Sequence, residues 1–239
     1  MFEGIGLTGA YTAQQELKLE AKFKVGHVYH RNFTLLERIV MLLWTIQPER
    51  VWRLLKQEKV FRCNPEESVY LNGDGDFSAA YSWLVAQMEE RIGKRPEGVT
   101  YPVWAWHTFN WKHRKPDLRD YYFSACYGVH TCIEVDIPEE NVLLSDEENW
   151  HFVLNDWFYS VAKSEEEYDR LQSKYESLPE EEKEKVREKS WERIFEVEPI
   201  DTDWHRQGCY VQAVFWELRF SQVRRVTWFG RYRKNGKRR

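Results

Sequence analysis

The chain has 239 residues, 42% hydrophobic and 31% charged, with a formal net charge of −4, enough apolar material to bury a sizeable core. Those values exclude a disordered or fibrous chain, and the longest apolar run, Ile39 to Ile46, is far short of the roughly 20 residues that a membrane-spanning helix needs. A pI near 6 argues against a surface given over to nucleic acid and leaves only local patches for phosphate.

Residues 1–40 show no sustained hydrophobic period and read as an N-terminal extension or a misplaced start. Met41 to Ile46 reads as a strand feeding a helix that Pro48 opens and whose apolar face is Val51, Trp52, Leu54 and Leu55. Asn72-Gly73-Asp74-Gly75 is a turn signal. Asp76 then caps a helix on which Phe77, Ala80, Tyr81, Leu84, Val85, Met88 and Ile92 recur, with Gly93 as its stop. Val103 to Trp106 reads as a strand, and residues 112–120, polar and proline-containing, as a loop. Alternation over residues 129–137 predicts a half-buried strand.

Ser145 followed by Glu148 reads as a capping box, with Trp150, Val153, Leu154, Trp157 and Phe158 as the buried stripe behind it. Ser164 and Glu167 form a second box. It opens residues 165–198, whose 13 acidic and 7 basic side chains predict a surface helical hairpin turning near Leu178-Pro179. Residues 209–220 are apolar at both parities and predict one central strand, followed by a short strand from Val223 to Phe229. The basic tail, 230–239, is expected to be disordered. These elements predict one α+β domain over residues 41–229, with helices packed on a mixed central sheet and a charged helical insertion at about 164–198.

Chemistry concentrates at few positions. Parity puts Glu217 on the face of Val211, Ala213 and Phe215, where desolvation would tune a carboxylate; alternatively it emerges into water or pairs with Arg219 or Arg224. Loop cations beside Trp104, Trp106 and Trp111 suit a phosphate joined to a ring, with Arg119 as the phosphate ligand; the plain alternative is a solvated loop tied down by Asp117 and Arg119. His107, His113 and His151 lack zinc spacing, so no metal ligand set is assigned. G-x-G-x-x-G, Walker and G-x-S-x-G motifs are absent from the sequence. Four scattered cysteines, with no C-x-x-C pair, and an N-terminus without a signal-peptide pattern point to the cytoplasm. The basic tail offers a contact for nucleic acid or another anionic partner, beside a merely solubilising role.

The ordered blocks Leu43-Trp44-Thr45-Ile46-Gln47, Ala80-Tyr81-Ser82-Trp83-Leu84, Pro102-Val103-Trp104-Ala105-Trp106, Pro116-Asp117-Leu118-Arg119, Leu143-Leu144-Ser145-Asp146 and Gln212-Ala213-Val214-Phe215-Trp216-Glu217-Leu218 resemble a bacterial family. It is the domain of unknown function three-eight-four-one, and the likeness runs from about Met41 to Phe229. A second resemblance is to the ADP-ribosyltransferase superfamily, whose first core strand carries a His or Arg and whose last carries a catalytic Glu. It implies Glu217 as catalyst, Thr45 and Gln47 on a ribose, Trp106 as a stacking wall, Arg119 on phosphate and NAD as substrate. Thr45 stands where that superfamily has His or Arg. The expected function is a nucleotide-directed, NAD-consuming transferase; the alternative is a non-catalytic module that binds a nucleotide or protein through the same aromatic cleft and basic loop.

Overall fold

The computed structural model describes residues 39–67, 77–123 and 128–231, which fall in one compact unit. The turn at Asn72-Gly73-Asp74-Gly75, the Asp76 cap, the tail from residue 232 and the extension before residue 39 lie outside the described residues.

Strand β1 (Val40–Pro48) runs directly into helix α1 (Glu49–Glu58). Pro48 holds the N-cap position of that helix, since its fixed φ (−54°) suits the junction and it has no N–H to leave unpaired. After β2 (Val60–Phe61) come α2 (Ser78–Arg91), β3 (Val103–Thr108), β4 (Gly128–Pro138), β5 (Leu143–Asp146) and α3 (Glu147–Leu154). The hairpin α4 (Glu165–Glu176) and α5 (Glu180–Trp191) turns where Leu178-Pro179 predicts, and a 3-10 turn, Glu192–Phe195, follows. The short strands β6 (Ile200–Asp201) and β7 (Arg206–Gln207) precede β8 (Val211–Phe215), β9 (Leu218–Arg219) and β10 (Val223–Arg231).

Among the described residues, six strands form the main sheet in the order β10-β4-β1-β3-β8-β5. The α+β architecture stands, but every pairing is antiparallel where a mixed sheet was expected. Alternation reports which face a side chain occupies and says nothing of strand direction, so pairing sense lay beyond the sequence pattern.

The pleat sends alternate side chains to two separate cores. On one face Leu43, Val103, Ala105, Ile133, Val135, Ala213 and Phe215 pack under Val51 and Leu55 of α1, with Phe61 and Leu218 closing the end. On the other, Leu143 and Val214 meet α2 through Ala80, Tyr81, Leu84, Val85 and Met88, and meet α3 through Trp150 and Val153. Further along that face Trp44, Trp106 and Cys132 pack with Phe109, Phe123, Leu118 and Phe229. Gly93, at φ +95°, ends α2 as predicted; an L side chain would be strained there.

Four local expectations are corrected. Residues 209–220 are not one strand, because the ladder stops after Phe215 and resumes as β9, which leaves the sheet to pair with β2. The break coincides with Trp216, whose indole donates to the Gly93 carbonyl (3.0 Å) and pins the chain to the end of α2. The cap of α3 is Asp146, which accepts from the Asn149 N–H (2.9 Å), whereas Ser145 is still strand. Trp157 leaves the expected buried stripe and stands 59% exposed, since the chain reverses at Asp156 (φ +56°) before reaching it. Ser164 does cap α4, but Glu167 reaches the Lys163 N–H instead of closing the box on Ser164.

The hairpin is surface along its length and core at its foot. Helix α4 buries no side chain and is steadied by the Phe158–Tyr175 stack (4.4 Å, 4°). Helix α5 ends on buried Trp191, which donates to the Trp157 carbonyl (2.6 Å), and the following turn buries Ile194 completely. That turn lies against β5, while β10 is the opposite edge of the sheet. Among the described residues no helix is long and apolar enough to cross a membrane.

Candidate functional site

The five residues singled out by sequence do not share one surface. Thr45 is fully buried; its Oγ1 donates to the Trp104 carbonyl (2.7 Å) and accepts from Gln47 Nε2 (2.8 Å). By alternation with Leu43, Thr45 and Gln47 belong to the face that α1 covers. Trp106 belongs to the other face, buried and ringed by Phe109, Tyr122, Phe123 and Tyr210 at centroid distances of 5.2–6.5 Å.

Glu217 lies just beyond β8, with its side chain 11% exposed. The β2–β9 register, Val60 with Arg219 and Phe61 with Leu218, carries Arg62 opposite Glu217. Arg62 Nε contacts Glu217 Oε2 (3.1 Å), and Arg219 contacts Oε1. Each carboxylate oxygen is therefore held by a different guanidinium. Arg119 is 90% exposed, and its fork grips Asp117 through Nε–Oδ1 (2.9 Å) and Nη2–Oδ2 (2.6 Å). That grip holds the Asp117 carboxyl well below the usual carboxylate range.

The remaining loop cations are differently placed. Lys112, Arg114 and Lys115 are exposed and make no ion pair with any described residue. Their loop is nevertheless well held. It begins at a two-residue hairpin turn, Asn110-Trp111, both at positive φ (52° and 64°), closed by reciprocal Phe109–Lys112 backbone bonds. His113 Nδ1 lies 2.8 Å from the His107 carbonyl, and its ring packs on Trp44 (5.3 Å). Pro116 is buried, and Leu118 joins the Trp44–Trp106 core. Beneath the loop, burial and the nearby His113 push His107 down to about 4, so it is neutral at pH 7.

Beside this loop is a polar group that sequence reasoning missed. Trp111 at φ +64° is unusual for so bulky a residue; its N–H donates to the Cys209 carbonyl (2.9 Å) and its ring carries the Arg206 guanidinium (5.5 Å). Arg206 also donates to Cys209 Sγ (3.1 Å) and faces Glu148 across 3.8 Å. Glu148 Oε2 is buried without a hydrogen bond, and burial raises that carboxyl above its ordinary value. Asp146, fully buried, accepts from Gly208 N (2.6 Å) as well as Asn149 N; burial raises it too, against those hydrogen bonds. Tyr122 donates to Glu147 Oε2 (2.9 Å) and contacts Tyr210 (5.2 Å). The block Leu143 to Asp146 was visible in sequence, but taking Ser145 as the cap gave Glu148 a helical task that Asp146 actually leaves it free of.

No curated protein and no solved structure matches this chain. The family model described as Domain of unknown function (DUF3841) matches residues 42–224, from the third residue of β1 to the second of β10. That span takes in β3, β4, β5 and β8 whole, nearly all of β1, the start of β10, the hairpin and the loop between β3 and β4, so the chain belongs to the DUF3841 family.

Proposed function

We propose that this domain is a binding module for a phosphate-bearing ligand such as a nucleotide, engaged by the loop at 112–120. The carrying observation is the set of Lys112, Arg114 and Lys115, exposed and without carboxylate partners among the described residues, on a loop that Pro116, Leu118 and His113 fix in place. Cations already held in position lose little side-chain and backbone freedom when an anion arrives. Trp111 and Tyr122 supply aromatic surface at the base of the loop.

The transferase reading needs Glu217 to meet a ribose in a cleft shared with Thr45 and Gln47. Its carboxylate is instead engaged by Arg62 and Arg219, and the Thr45 hydroxyl is engaged within the core. These contacts favour the module over the enzyme.

The test pairs two measurements on the full chain. Calorimetric titration with ADP and NAD should show binding that falls at least tenfold when Lys112, Arg114 and Lys115 are replaced together by Ala. Incubation with nicotinamide-labelled NAD should release no nicotinamide. Release that disappears in Glu217→Gln would restore the transferase reading, and ligand binding indifferent to the loop would remove the module from this site.

A further inference from the structure

We infer that the ligand of this domain is a guanine nucleotide, its ring set against Trp111 and Arg206 and its edge read by the Glu148 carboxylate. The inference rests on the loop at 112–120 being a phosphate site, as above, and adds the part of the site that recognises the ring.

The residues involved meet at one end of the main sheet. Thr108, the last residue of β3, and Asp146, the last of β5, both stand opposite Val211, the first of β8. Trp111 and Lys112 therefore leave the sheet where Glu147 and Glu148 leave it and where Arg206, Cys209 and Tyr210 enter it. Backbone bonds tie these crossings together, from Trp111 N–H to the Cys209 carbonyl and from Glu147 N–H to the Tyr210 carbonyl (2.9 Å each). Lys112 pairs with Phe109 across the turn, so its side chain shares the Phe109 face, on which Tyr122 and Tyr210 lie.

The first support is Trp111 itself. The second position of a two-residue turn with both φ positive favours glycine, and an indole there at φ +64° is strained. A turn needed only to reverse the chain would hold Gly. The ring kept at that expense carries the Arg206 guanidinium (5.5 Å), which Cys209 Sγ also fixes (3.1 Å) while the arginine side chain stays half-exposed. Two planar groups, one of them charged, thus present a surface on which a base can stack.

The second support is Glu148, at the rim of that surface. Neither of its oxygens accepts a hydrogen bond among the described residues, and Arg206 Nε, at 3.8 Å, is too far to donate one. Guanine carries two adjacent donors, N1–H and the 2-amino group, with the O6 acceptor beside them. The donors satisfy both carboxylate oxygens, and O6 faces the arginine. Adenine, cytosine and uracil each set an acceptor beside their donor, which turns a lone pair toward the carboxylate.

The third support is the polarity of the whole site. Asp146, Glu147 and Asp201 act on Glu148 against the single charge of Arg206, whereas Lys112, Arg114 and Lys115 form no ion pair among the described residues. A phosphate is drawn to the loop and kept from the ring end, so a ligand with one anionic end and one donor-bearing ring has a single orientation.

The experiment titrates the full chain calorimetrically with the diphosphates of guanosine, inosine, xanthosine and adenosine. The guanosine form should bind about 100-fold more tightly than the adenosine form and about tenfold more tightly than the inosine form, which lacks the 2-amino group. Glu148→Gln should bind the xanthosine form best, because its amide donates to the carbonyl that replaces the 2-amino group and accepts from N1–H. Trp111→Gly suits the turn, so the variant should fold, and it should bind the guanosine form roughly tenfold more weakly. Replacing Lys112, Arg114 and Lys115 together should weaken all four ligands alike. Equal binding of the guanosine and adenosine forms, with Glu148→Gln and Trp111→Gly silent, would overturn this inference and leave the loop's role intact; no binding of any diphosphate would overturn both. A preference for adenosine, or a guanosine preference that survives Glu148→Gln, would equally overturn it.

Discussion

Asp146 shows how one side chain can join distant segments. Its two oxygens hold the first turn of α3 and the N–H of Gly208, which sits at φ +79° with no room for a Cβ against the Val197 carbonyl. Asp146→Ala should therefore destabilise the fold by about 2 kcal/mol, read from the urea midpoint at constant m-value. Because burial raises its pKa, the folded state holds the Asp146 proton more tightly than the unfolded chain does; its contribution is greatest in acid and is lost as pH rises through the folded pKa. His107 has the opposite sign. Its pKa falls from 6.5 to about 4 on folding, so its contribution is complete above pH 6.5 and is lost as pH drops toward 4. Stability measured between those limits should decline with acidification, and His107→Gln should flatten that decline while Asp146→Asn should not. Glu217 stood out in sequence as a carboxylate at the end of an apolar run, whereas Thr45 was singled out through the ADP-ribosyltransferase resemblance. Arg219 as a partner of Glu217 was among the alternatives the sequence offered; Trp104 and Arg62 were not legible, because pairing across 59 and 155 residues brings them to Thr45 and Glu217.

Elements divide into those whose stability is local and those set by neighbours. Helix α2 was legible from its period and its stop at Gly93, and α4 from its Ser164 cap, since these act within a turn or two of the chain. The break after Phe215 was not legible, because Trp216, Leu218 and Phe220 keep one parity apolar to Phe220 and only Gly93 and Phe61 decide where the chain leaves the sheet. The hairpin illustrates both. Its turn and charge were evident, while the burial of Trp191 and Ile194 depends on α3 and β5. Trp191→Ala should lower stability by about 3–5 kcal/mol, whereas Tyr175→Ala, losing one exposed ring stack, should cost about 1 kcal/mol; chemical denaturation of both variants checks the ratio. β10 is an edge strand with an irregular register at Arg224 and three arginines, features that discourage pairing with another sheet.

At the scale of the molecule, two cores share one sheet. Phe215 fills the α1 side and Leu84 the α2 side, so truncating either should cost several kcal/mol, on the order of 2–5 each. With no contact between them, Phe215→Ala and Leu84→Ala should be additive within about 0.5 kcal/mol. Tryptophan fluorescence and far-UV circular dichroism should still report one transition, because the strands belong to both cores. A coupling larger than about 1 kcal/mol, twice the additive error, would mean that the sheet transmits strain between its faces. The sequence by itself determined the α+β class, most element positions, the acidic hairpin and the basic end, because periodicity, caps and charge are properties of neighbouring residues. Only the tertiary structure decided strand order, the antiparallel sense, the commitments of Glu217 and Thr45, and the meeting of Trp111 with Arg206. Those depend on contacts between residues far apart in the chain, and a single sequence records the partners without recording the pairing.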